Sequence, residues 1–271
     1  MFMEMLPAKA TVRGAQIEYV RTGSGPVLLY LHGCDGIDAS DPFIAPLAEK
    51  FDVVALSMPG FGASEMPRFV KTTADIAELV IEFTEVLGLK DYILVGSSFG
   101  GWVAAEMAAA RIAAISRLIL VDALGVRFTK DPAECEIFDI FIVPTADNPY
   151  PYFSDAKKAE AAFGRMEFAA MPEGAALRYC RNREALTTVG WAPLLYDPTL
   201  RWRLDRIAVP TLVLWGADDK IVSVDYGRQY AEAIPNAAFK TILDAGHYLP
   251  IEAPNAFARE VGAFALELVE A

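Results

Sequence analysis

The sequence contains few cysteines, and they are badly placed for a disulfide framework or a metal site. Of its 271 residues 3 are cysteine, at Cys34, Cys135 and Cys180, and no Cys-x-x-Cys pair occurs. An odd number of distant cysteines argues against a set of disulfides and against a zinc site. We therefore expect reduced thiols in a cytoplasmic protein that binds no metal.

Basic residues are also scarce, which limits the kinds of partner. Lys and Arg number 24 against 36 Asp and Glu, giving a formal net charge of -12. An acidic surface of this size repels nucleic acid and anionic membranes, so we expect neither as a partner. The sequence has no apolar run near the roughly 20 residues that cross a bilayer. The first seven residues also lack the pattern of a signal peptide. We expect a cytoplasmic monomer or homodimer that acts on a small molecule.

What the sequence does contain is an alternation of apolar strands and amphipathic helices. Continuous apolar runs at 27–31, 92–95 and 118–121, and the run at 211–215 that is apolar after Thr211, are typical of strands buried on both faces of a parallel sheet. Helical patterns lie between them, the clearest at 73–87. The alternation predicts an α/β protein whose mostly parallel central sheet has about eight strands flanked by helices.

The alternation of strands and helices stops in an aromatic-rich segment between residues 127 and 206. No run there is typical of a buried strand, and most of its aromatic side chains are expected to form its own core. We predict a helical cap at 127–206, inserted into a core made of 1–126 and 207–271. Helical patches separated by prolines are predicted at 133–142, 154–166, 173–189 and 198–206.

A glycine-rich motif follows the strand predicted at 92–95. It reads Gly-Ser-Ser-Phe-Gly-Gly at 96–101 and leads into an alanine-rich helical run. A strand, a sharp turn and a helix force strained backbone angles on the central residue, and flanking glycines avoid clashes there. Ser98 would then stand at the carboxyl end of the sheet as a candidate nucleophile. The alternative is a Gly/Ser-rich connection without a chemical role.

A serine hydroxyl needs an adjacent base, and the chain has 2 histidines, His32 and His247. His32 ends a strand directly before Gly33, where a histidine more often braces its loop. His247 lies in a short loop after the last predicted strand. We favour His247 as the base.

The base in turn needs a carboxylate that orients it. Asp218 and Asp219 follow the strand at 211–215, and Asp122 follows the strand at 118–121. We favour Asp219 and keep Asp122 and Asp218 as alternatives. For each, the non-catalytic interpretation is a solvated loop carboxylate or a helix cap.

An oxyanion formed by attack on a carbonyl group needs N–H donors that already point at it. We nominate the backbone amides of Phe99, at the start of a helix, and of Cys34, in the loop after Gly33. Asp35 follows Cys34, and a carboxylate close to an oxyanion would destabilise it. We therefore predict that the Asp35 side chain points outward or caps a helix.

Four motifs together resemble those of the α/β-hydrolase fold family, in its capped, serine-dependent branch. They are His-Gly-x-x-Gly at 32–36, Pro-Gly-Phe-Gly-x-Ser at 59–64, the serine motif at 96–101, and Gly-x-x-Asp-x-x-Val at 216–222 followed by Gly-His at 246–247. The resemblance implies hydrolysis through an acyl-enzyme, with Ser98, His247 and Asp219 as the catalytic triad. It implies no metal or organic cofactor. Relatives that dehalogenate or open epoxides carry Asp at the position of Ser98, so those activities are not expected.

The resemblance is weakly specific for the substrate, because this fold hosts many reactions. We favour a carboxylic ester hydrolase acting on small or medium, largely apolar acyl groups. One alternative is a carbon–carbon bond hydrolase of ring-fission diketones, in which Arg178, Arg181 or Arg183 would bind a substrate carboxylate. Another is a ligand-binding, receptor-like protein with a vestigial triad. Candidate contacts with the substrate are His32, Gly33, Phe138, Phe141, Trp191 and Tyr248.

Overall fold

A computed structural model describes residues 7–131, 134–143, 150–163 and 168–266. These residues form an eight-stranded sheet in the order β1-β2-β4-β3-β5-β6-β7-β8. β1 and β2 are antiparallel to their neighbours, and the other strands run parallel. The predicted α/β class and mostly parallel sheet are confirmed. The strands are β1 (Ala8–Val12), β2 (Ala15–Gly23), β3 (Val27–Leu31), β4 (Asp52–Leu56), β5 (Tyr92–Ser97), β6 (Ile115–Val121), β7 (Thr211–Gly216) and β8 (Ala238–Ile242).

Helices lie between the strands and in the segment that separates β6 from β7. None of the helices in the described ranges is both long enough and apolar enough to cross a membrane. The α-helices are α1 (Ile44–Ala48), α2 (Thr73–Val86), α3 (Phe99–Ala109), α4 (Ala156–Phe163), α5 (Glu173–Gly190), α6 (Val224–Ala233), α7 (Leu249–Glu252) and α8 (Pro254–Leu266), and short 3₁₀ helices occur at Tyr150–Tyr152, Phe168–Ala170 and Leu200–Arg206.

The sheet has a hydrophobic core on each face. In β3, Leu29 and Leu31 join the core that also contains side chains of α2, α3 and α6. Leu28 and Tyr30, which point the other way, join the core that contains side chains of α1 and α8. Alternate residues of a strand face opposite sides, so both faces must be apolar. This explains the unbroken apolar runs in the sequence.

The segment between β6 and β7 contains several helices, but one predicted helix is wrong. The patches at 154–166 and 173–189 correspond to α4 and α5, with 164–166 outside the described residues, and 198–206 contains a 3₁₀ helix. The described part of 133–142 has no helix. There Ile137 forms an antiparallel bridge with Val222, and the Phe138 amide donates to the Ile221 carbonyl at 2.8 Å. This extended pairing replaces helical hydrogen bonds. The division into core and cap stays a prediction.

The loops that follow the carboxyl ends of the parallel strands all open at one edge of the sheet. They include the turn at 33–36 after β3, Ser98 after β5, Asp219 after β7 and His247 after β8. Ligands of open α/β sheets bind at this edge. The topology therefore brings together side chains that are far apart in the sequence.

Candidate active site

Ser98 occupies the sharp turn between β5 and α3. Its backbone angles are φ 54° and ψ -117°, in a region that residues with a side chain rarely adopt. Its amide donates to the Val121 carbonyl at 2.8 Å, which ties the turn to β6. A Cβ atom at Gly96 would collide with the Gly100 carbonyl oxygen, so glycine lets strand and helix approach closely.

We expect Gly100→Ala to destabilise the protein, because its Cβ would lie 2.5 Å from the His32 carbonyl oxygen. Overpacking of this kind lowers the free energy of unfolding by about 1–3 kcal/mol or more, which urea denaturation measures. Gly174→Ala is the matched control, since a Cβ there meets nothing within 4 Å. Equal stability of the Gly100→Ala variant and the parent would contradict this account of the turn.

His247 connects Ser98 to Asp219. Its Nε2 lies 2.8 Å from Ser98 Oγ and its Nδ1 lies 2.8 Å from Asp219 Oδ2. The His247 and Asp219 side chains are fully buried. With Nδ1–H donating to the carboxylate, Nε2 is free to accept the serine proton.

Asp219 is held in place by the loop that follows β7. Its Oδ1 accepts hydrogen bonds from the amides of Ile221 and Val222 at 2.8 and 3.0 Å. This leaves Oδ2 directed at His247. Two backbone donors stabilise the charged carboxylate, so the orientation of the imidazole is set by the main chain.

The alternative carboxylates are placed differently. Asp122 is buried, and its Oδ1 accepts from the Gly216 amide at 2.7 Å. Burial, reinforced by the negative charge of Asp219, raises the pKa of Asp122 well above its usual range. Asp218 is exposed on the loop. Among the described carboxylates, Asp219 is the one hydrogen-bonded to His247.

His32 braces its loop, as the sequence favours for this position. Its Nδ1 donates to the Gly33 carbonyl at 2.6 Å, and its Nε2 accepts from the Met58 amide at 2.9 Å. Burial lowers the pKa of His32 to about 4, so the imidazole is neutral. Both ring nitrogens are already used within the protein.

The turn at 33–36 passes directly beside the nucleophile. A Cβ at Gly33 would lie 3.2 Å from Ser98 Cβ. The Cys34 thiol is buried, lies 3.5 Å from the Tyr152 hydroxyl, and has a pKa that burial raises. The thiol is therefore protonated and unreactive. The use of the Cys34 and Phe99 amides as an oxyanion hole stays a prediction.

Asp35 is exposed, as the prediction that its side chain points outward requires, but it is exposed on the wall of the cavity that Ser98 also lines. Desolvation raises the pKa of Asp35 to about 6, while the hydrogen bond from Cys34 and the charge of Arg183 oppose the rise. The tight turn, closed by the Gly36 amide on the Gly33 carbonyl at 3.4 Å, places Asp35 at its centre and so beside the cavity.

The cavity has a volume of about 550 Å³, within the range of small-molecule sites. Of the six predicted substrate contacts, Gly33 and Tyr248 line it. The other four do not. His32 lies beneath the loop, while Phe141 and Trp191 pack against each other with ring centroids 5.2 Å apart. Trp191 and Phe138 are exposed by 55% and 38%, so these aromatic groups face solvent rather than the cavity.

Two side chains that the sequence gives little reason to select hold the site together. Asn182 on α5 donates to the Asp35 carbonyl and accepts from the Gly62 amide at 2.9 Å, joining two loops. Glu252 accepts from the Gly246 amide at 2.7 Å and pairs with Lys158 at 2.8 Å, fixing the residue before His247. A single buried polar residue on a helix has no sequence signature. Glu252 follows His247 closely in the sequence, which only weakly indicates that it supports the site.

No group of three or more His, Cys, Asp or Glu side chains in the described ranges is arranged to hold a metal ion. The chemistry that this arrangement supports is nucleophilic attack by a serine assisted by a histidine and a carboxylate.

Comparisons with known proteins agree with the geometry. A family model described as alpha/beta hydrolase fold matches residues 26–254. The chain is 25% identical to the uncharacterized hydrolase YugF of Bacillus subtilis (strain 168), over 94% of this chain and 96% of that protein. It is 28% identical to a 2-hydroxymuconate semialdehyde hydrolase of Pseudomonas putida, over 90% of this chain and 89% of that protein.

A solved structure, that of a membrane phospholipase A described as a bacterial virulence factor, is also similar. The TM-score is 0.77 and the identity 26%, over 98% of this chain and 87% of that chain. The family model alone covers well over half of the sequence. The chain therefore belongs to the alpha/beta hydrolase fold family.

Proposed function

We propose that the protein is a serine hydrolase that cleaves carboxylic esters with small or medium acyl groups through an acyl-enzyme. The observation that carries this proposal is the buried hydrogen-bond chain Ser98–His247–Asp219, with 2.8 Å at both steps, on the wall of a cavity of about 550 Å³. A base within this distance of a serine hydroxyl is what nucleophilic catalysis requires.

The reaction proceeds in two halves. Ser98 Oγ attacks the ester carbonyl carbon while its proton passes to His247 Nε2. The tetrahedral intermediate collapses, the alcohol leaves with the proton from Nε2, and the acyl group stays on Oγ. Water then attacks the acyl carbon, gives a proton to Nε2, and the second collapse releases the acid and returns the proton to Ser98.

Asp219 keeps the imidazole in the tautomer that accepts at Nε2 and stabilises the imidazolium that forms. The Phe99 amide, at the first residue of α3, and the Cys34 amide, in the turn beside Ser98, serve as the donors to the oxyanion. Donors built into the backbone need no reorganisation when charge develops.

The charges of the cavity favour an ester over a ring-fission diketone acid. The relatives include a 2-hydroxymuconate semialdehyde hydrolase and a phospholipase A, so similarity supports a hydrolase without choosing the bond. The three arginines proposed for a substrate carboxylate are engaged elsewhere. Arg178 pairs with Asp38 at 2.9 Å. Arg181 donates to the Ser64 carbonyl at 2.7 Å, and Arg183 donates to the Ile140 carbonyl at 3.3 Å.

The test is turnover of 4-nitrophenyl acetate and butyrate beside a vinylogous diketo acid. We expect an initial burst of 4-nitrophenol that matches the enzyme concentration, and a much lower kcat/KM for the diketo acid. Faster cleavage of the diketo acid would favour the carbon–carbon hydrolase. Saturable binding of these compounds without turnover would favour a receptor-like protein.

Substitution of each of two neighbouring carboxylates, Asp219 and Asp122, gives a pair of predictions. Asp219→Asn should lower kcat by about 10⁴-fold, because an amide at this position favours the wrong imidazole tautomer. Asp122→Asn should change kcat little, since Asp122 accepts from the Gly216 amide and not from His247, and an asparagine oxygen keeps that hydrogen bond. Steady-state kinetics on 4-nitrophenyl butyrate measures both. Equal losses would mean that Asp122 shares the orienting role.

A further inference from the structure

We propose that the natural substrate carries a positively charged ammonium group, which the carboxylates of Asp35 and Asp41 bind on the cavity wall. This inference rests on the proposed ester hydrolysis and adds the charge of the substrate to it. The charge of the preferred substrate is set by the residues on the cavity wall rather than by the catalytic groups.

The charged side chains described on the cavity wall are mostly acidic. They are Asp35, Asp38, Asp41 and Arg178. Arg178 pairs with Asp38 at 2.9 Å, so those two charges offset each other. Asp35 and Asp41 form no ion pair with a Lys or Arg of the described residues. The wall therefore presents two carboxylates in excess.

The groups that face Asp35 do not neutralise it. Arg183 and His247 are close enough to lower its pKa, but the Arg183 guanidinium donates to the Ile140 carbonyl and lies over the Phe141 ring at 5.2 Å. The hydrogen bond to the Asp35 carboxylate comes from the weakly donating Cys34 thiol at 3.7 Å. The carboxylate retains the capacity to accept stronger donors.

Asp41 is in a similar position. Its Oδ2 accepts from the Asp38 amide at 3.0 Å. Enclosure raises the pKa of Asp41 to about 6, and the negative charges of Asp38 and Asp35 add to the rise, while Arg178 opposes it. Two neighbouring carboxylates on the cavity wall repel each other, and a bound cation would offset that repulsion.

The rest of the wall suits an organic cation rather than a metal ion. Tyr248 is partly exposed on the cavity wall, and the mostly buried rings of Tyr30 and Phe43, with centroids 4.7 Å apart, border the cavity beside it. Aromatic rings combined with carboxylates bind alkylammonium groups. The described part of the chain offers no group of three ligating side chains for a metal.

The position of Asp35 couples this recognition to the reaction. Asp35 lies in the turn whose Gly33 approaches Ser98, with 3.2 Å from a Cβ at 33 to Ser98 Cβ. A cation on the substrate would offset the carboxylate that otherwise disfavours a nearby oxyanion. An uncharged ester would leave that repulsion in place.

Two pairs of isosteric esters test the proposal at pH 8, one with the charge in the acyl part and one with it in the alcohol. The first pair is 4-nitrophenyl 4-(trimethylammonio)butanoate and 4-nitrophenyl 5,5-dimethylhexanoate. The second is acetylcholine and 3,3-dimethylbutyl acetate. We expect kcat/KM to be on the order of tenfold or more higher for the cationic member of at least one pair.

The double variant Asp35→Asn/Asp41→Asn should remove most of this preference by lowering kcat/KM for the cationic ester, while kcat/KM for the neutral ester should not fall, because the repulsion between the Asp35 charge and the oxyanion is lost. The asparagine oxygen retains the hydrogen bonds from Cys34 and the Asp38 amide. Asp91→Asn is the matched control, because Asp91 is exposed at the amino end of β5 and its positive φ of 49° suits asparagine. A preference that survives in the double variant, or is absent from both pairs, overturns the proposal.

A binding measurement separates this inference from the proposed function. Calorimetry on the Ser98→Ala protein compares choline with its uncharged isostere 3,3-dimethylbutan-1-ol, and we expect tighter binding of the cation. If the neutral esters are hydrolysed and the cationic esters are not preferred, the inference about the ammonium group is wrong and the proposed ester hydrolysis stands. If no ester is turned over, the proposed function is wrong, and calorimetry still reports whether the cavity binds the cation.

Discussion

Ser98→Ala should lower kcat for 4-nitrophenyl butyrate by about 10⁶-fold, the loss typical of removing a nucleophile that acts as one unit with its base. Without Oγ no acyl-enzyme forms, and the initial burst of 4-nitrophenol should disappear with it. The fold should survive. Alanine adopts the positive φ of 54° with the same strain as serine, and the alanine-rich helix α3 is unaffected. Thermal unfolding should show a Tm within a few degrees of the parent.

Ser116→Ala provides the matched serine control. Ser116 Oγ donates to the Asp91 carbonyl at 3.1 Å, at the opposite end of the sheet from the cavity. This variant should keep the parent's rate. Labelling with a sulfonyl fluoride adds an independent readout, since intact-mass analysis should find a single adduct on the parent and none on Ser98→Ala. Turnover near the parent's rate in the Ser98→Ala protein would reject the assignment of the nucleophile.

The parts of the site that were predictable from the sequence depend on short-range constraints. Ser98 stands in a motif whose glycines are required by contacts within a few residues, such as Gly96 against Gly100. The position of His247 could be inferred because the chain has 2 histidines and the other one ends a strand directly before Gly33. The carboxyl ends of parallel strands meet at one edge, so alternation of strand and helix was enough to place both near the same cavity.

The sequence favours Asp219 over Asp122 but leaves Asp122 as an alternative, because both residues directly follow or lie close to the end of a buried strand. The difference is one of orientation. Asp219 is turned towards His247 by the amides of Ile221 and Val222, whereas Asp122 is turned towards the Gly216 amide. These hydrogen bonds fix the loops after β6 and β7, and their geometry depends on how the strands align.

The same reason accounts for what the sequence did not place at the cavity wall. The expectation for Asp35 considered the charge of an isolated carboxylate and not the turn that puts this exposed residue beside the cavity. The aromatic residues Phe138, Phe141 and Trp191 were chosen for their chemistry, yet the path of the segment from 134 to 143 is set by pairing with the loop after β7. Asn182 bonds to two loops that lie 120 and 147 residues away from it in the sequence, which no local pattern encodes.

His247→Ala should cost as much activity as Ser98→Ala, about 10⁶-fold in kcat, because the serine hydroxyl then has no base. It should also lower stability. The substitution leaves a fully buried space beside Tyr152 and removes the partner of the buried Asp219 carboxylate. Loss of a buried hydrogen-bonded partner lowers the free energy of unfolding by about 1–3 kcal/mol. Added imidazole of millimolar concentration should restore part of the rate by occupying this space.

His32→Ala is the informative comparison, since it removes the other histidine from an equally buried position. It deletes bonds to the Gly33 carbonyl and the Met58 amide and a ring contact with Phe61 at 4.8 Å. We therefore expect a clear fall in Tm, a smaller loss of kcat than for His247→Ala, and no rescue by imidazole. The two roles would be exchanged by a different result. His32 would be the base if His32→Ala lost all turnover while unfolding at the parent's Tm and His247→Ala stayed active. The physical basis of the expected difference is that both nitrogens of His32 are bonded to the main chain, whereas His247 Nε2 points at a hydroxyl.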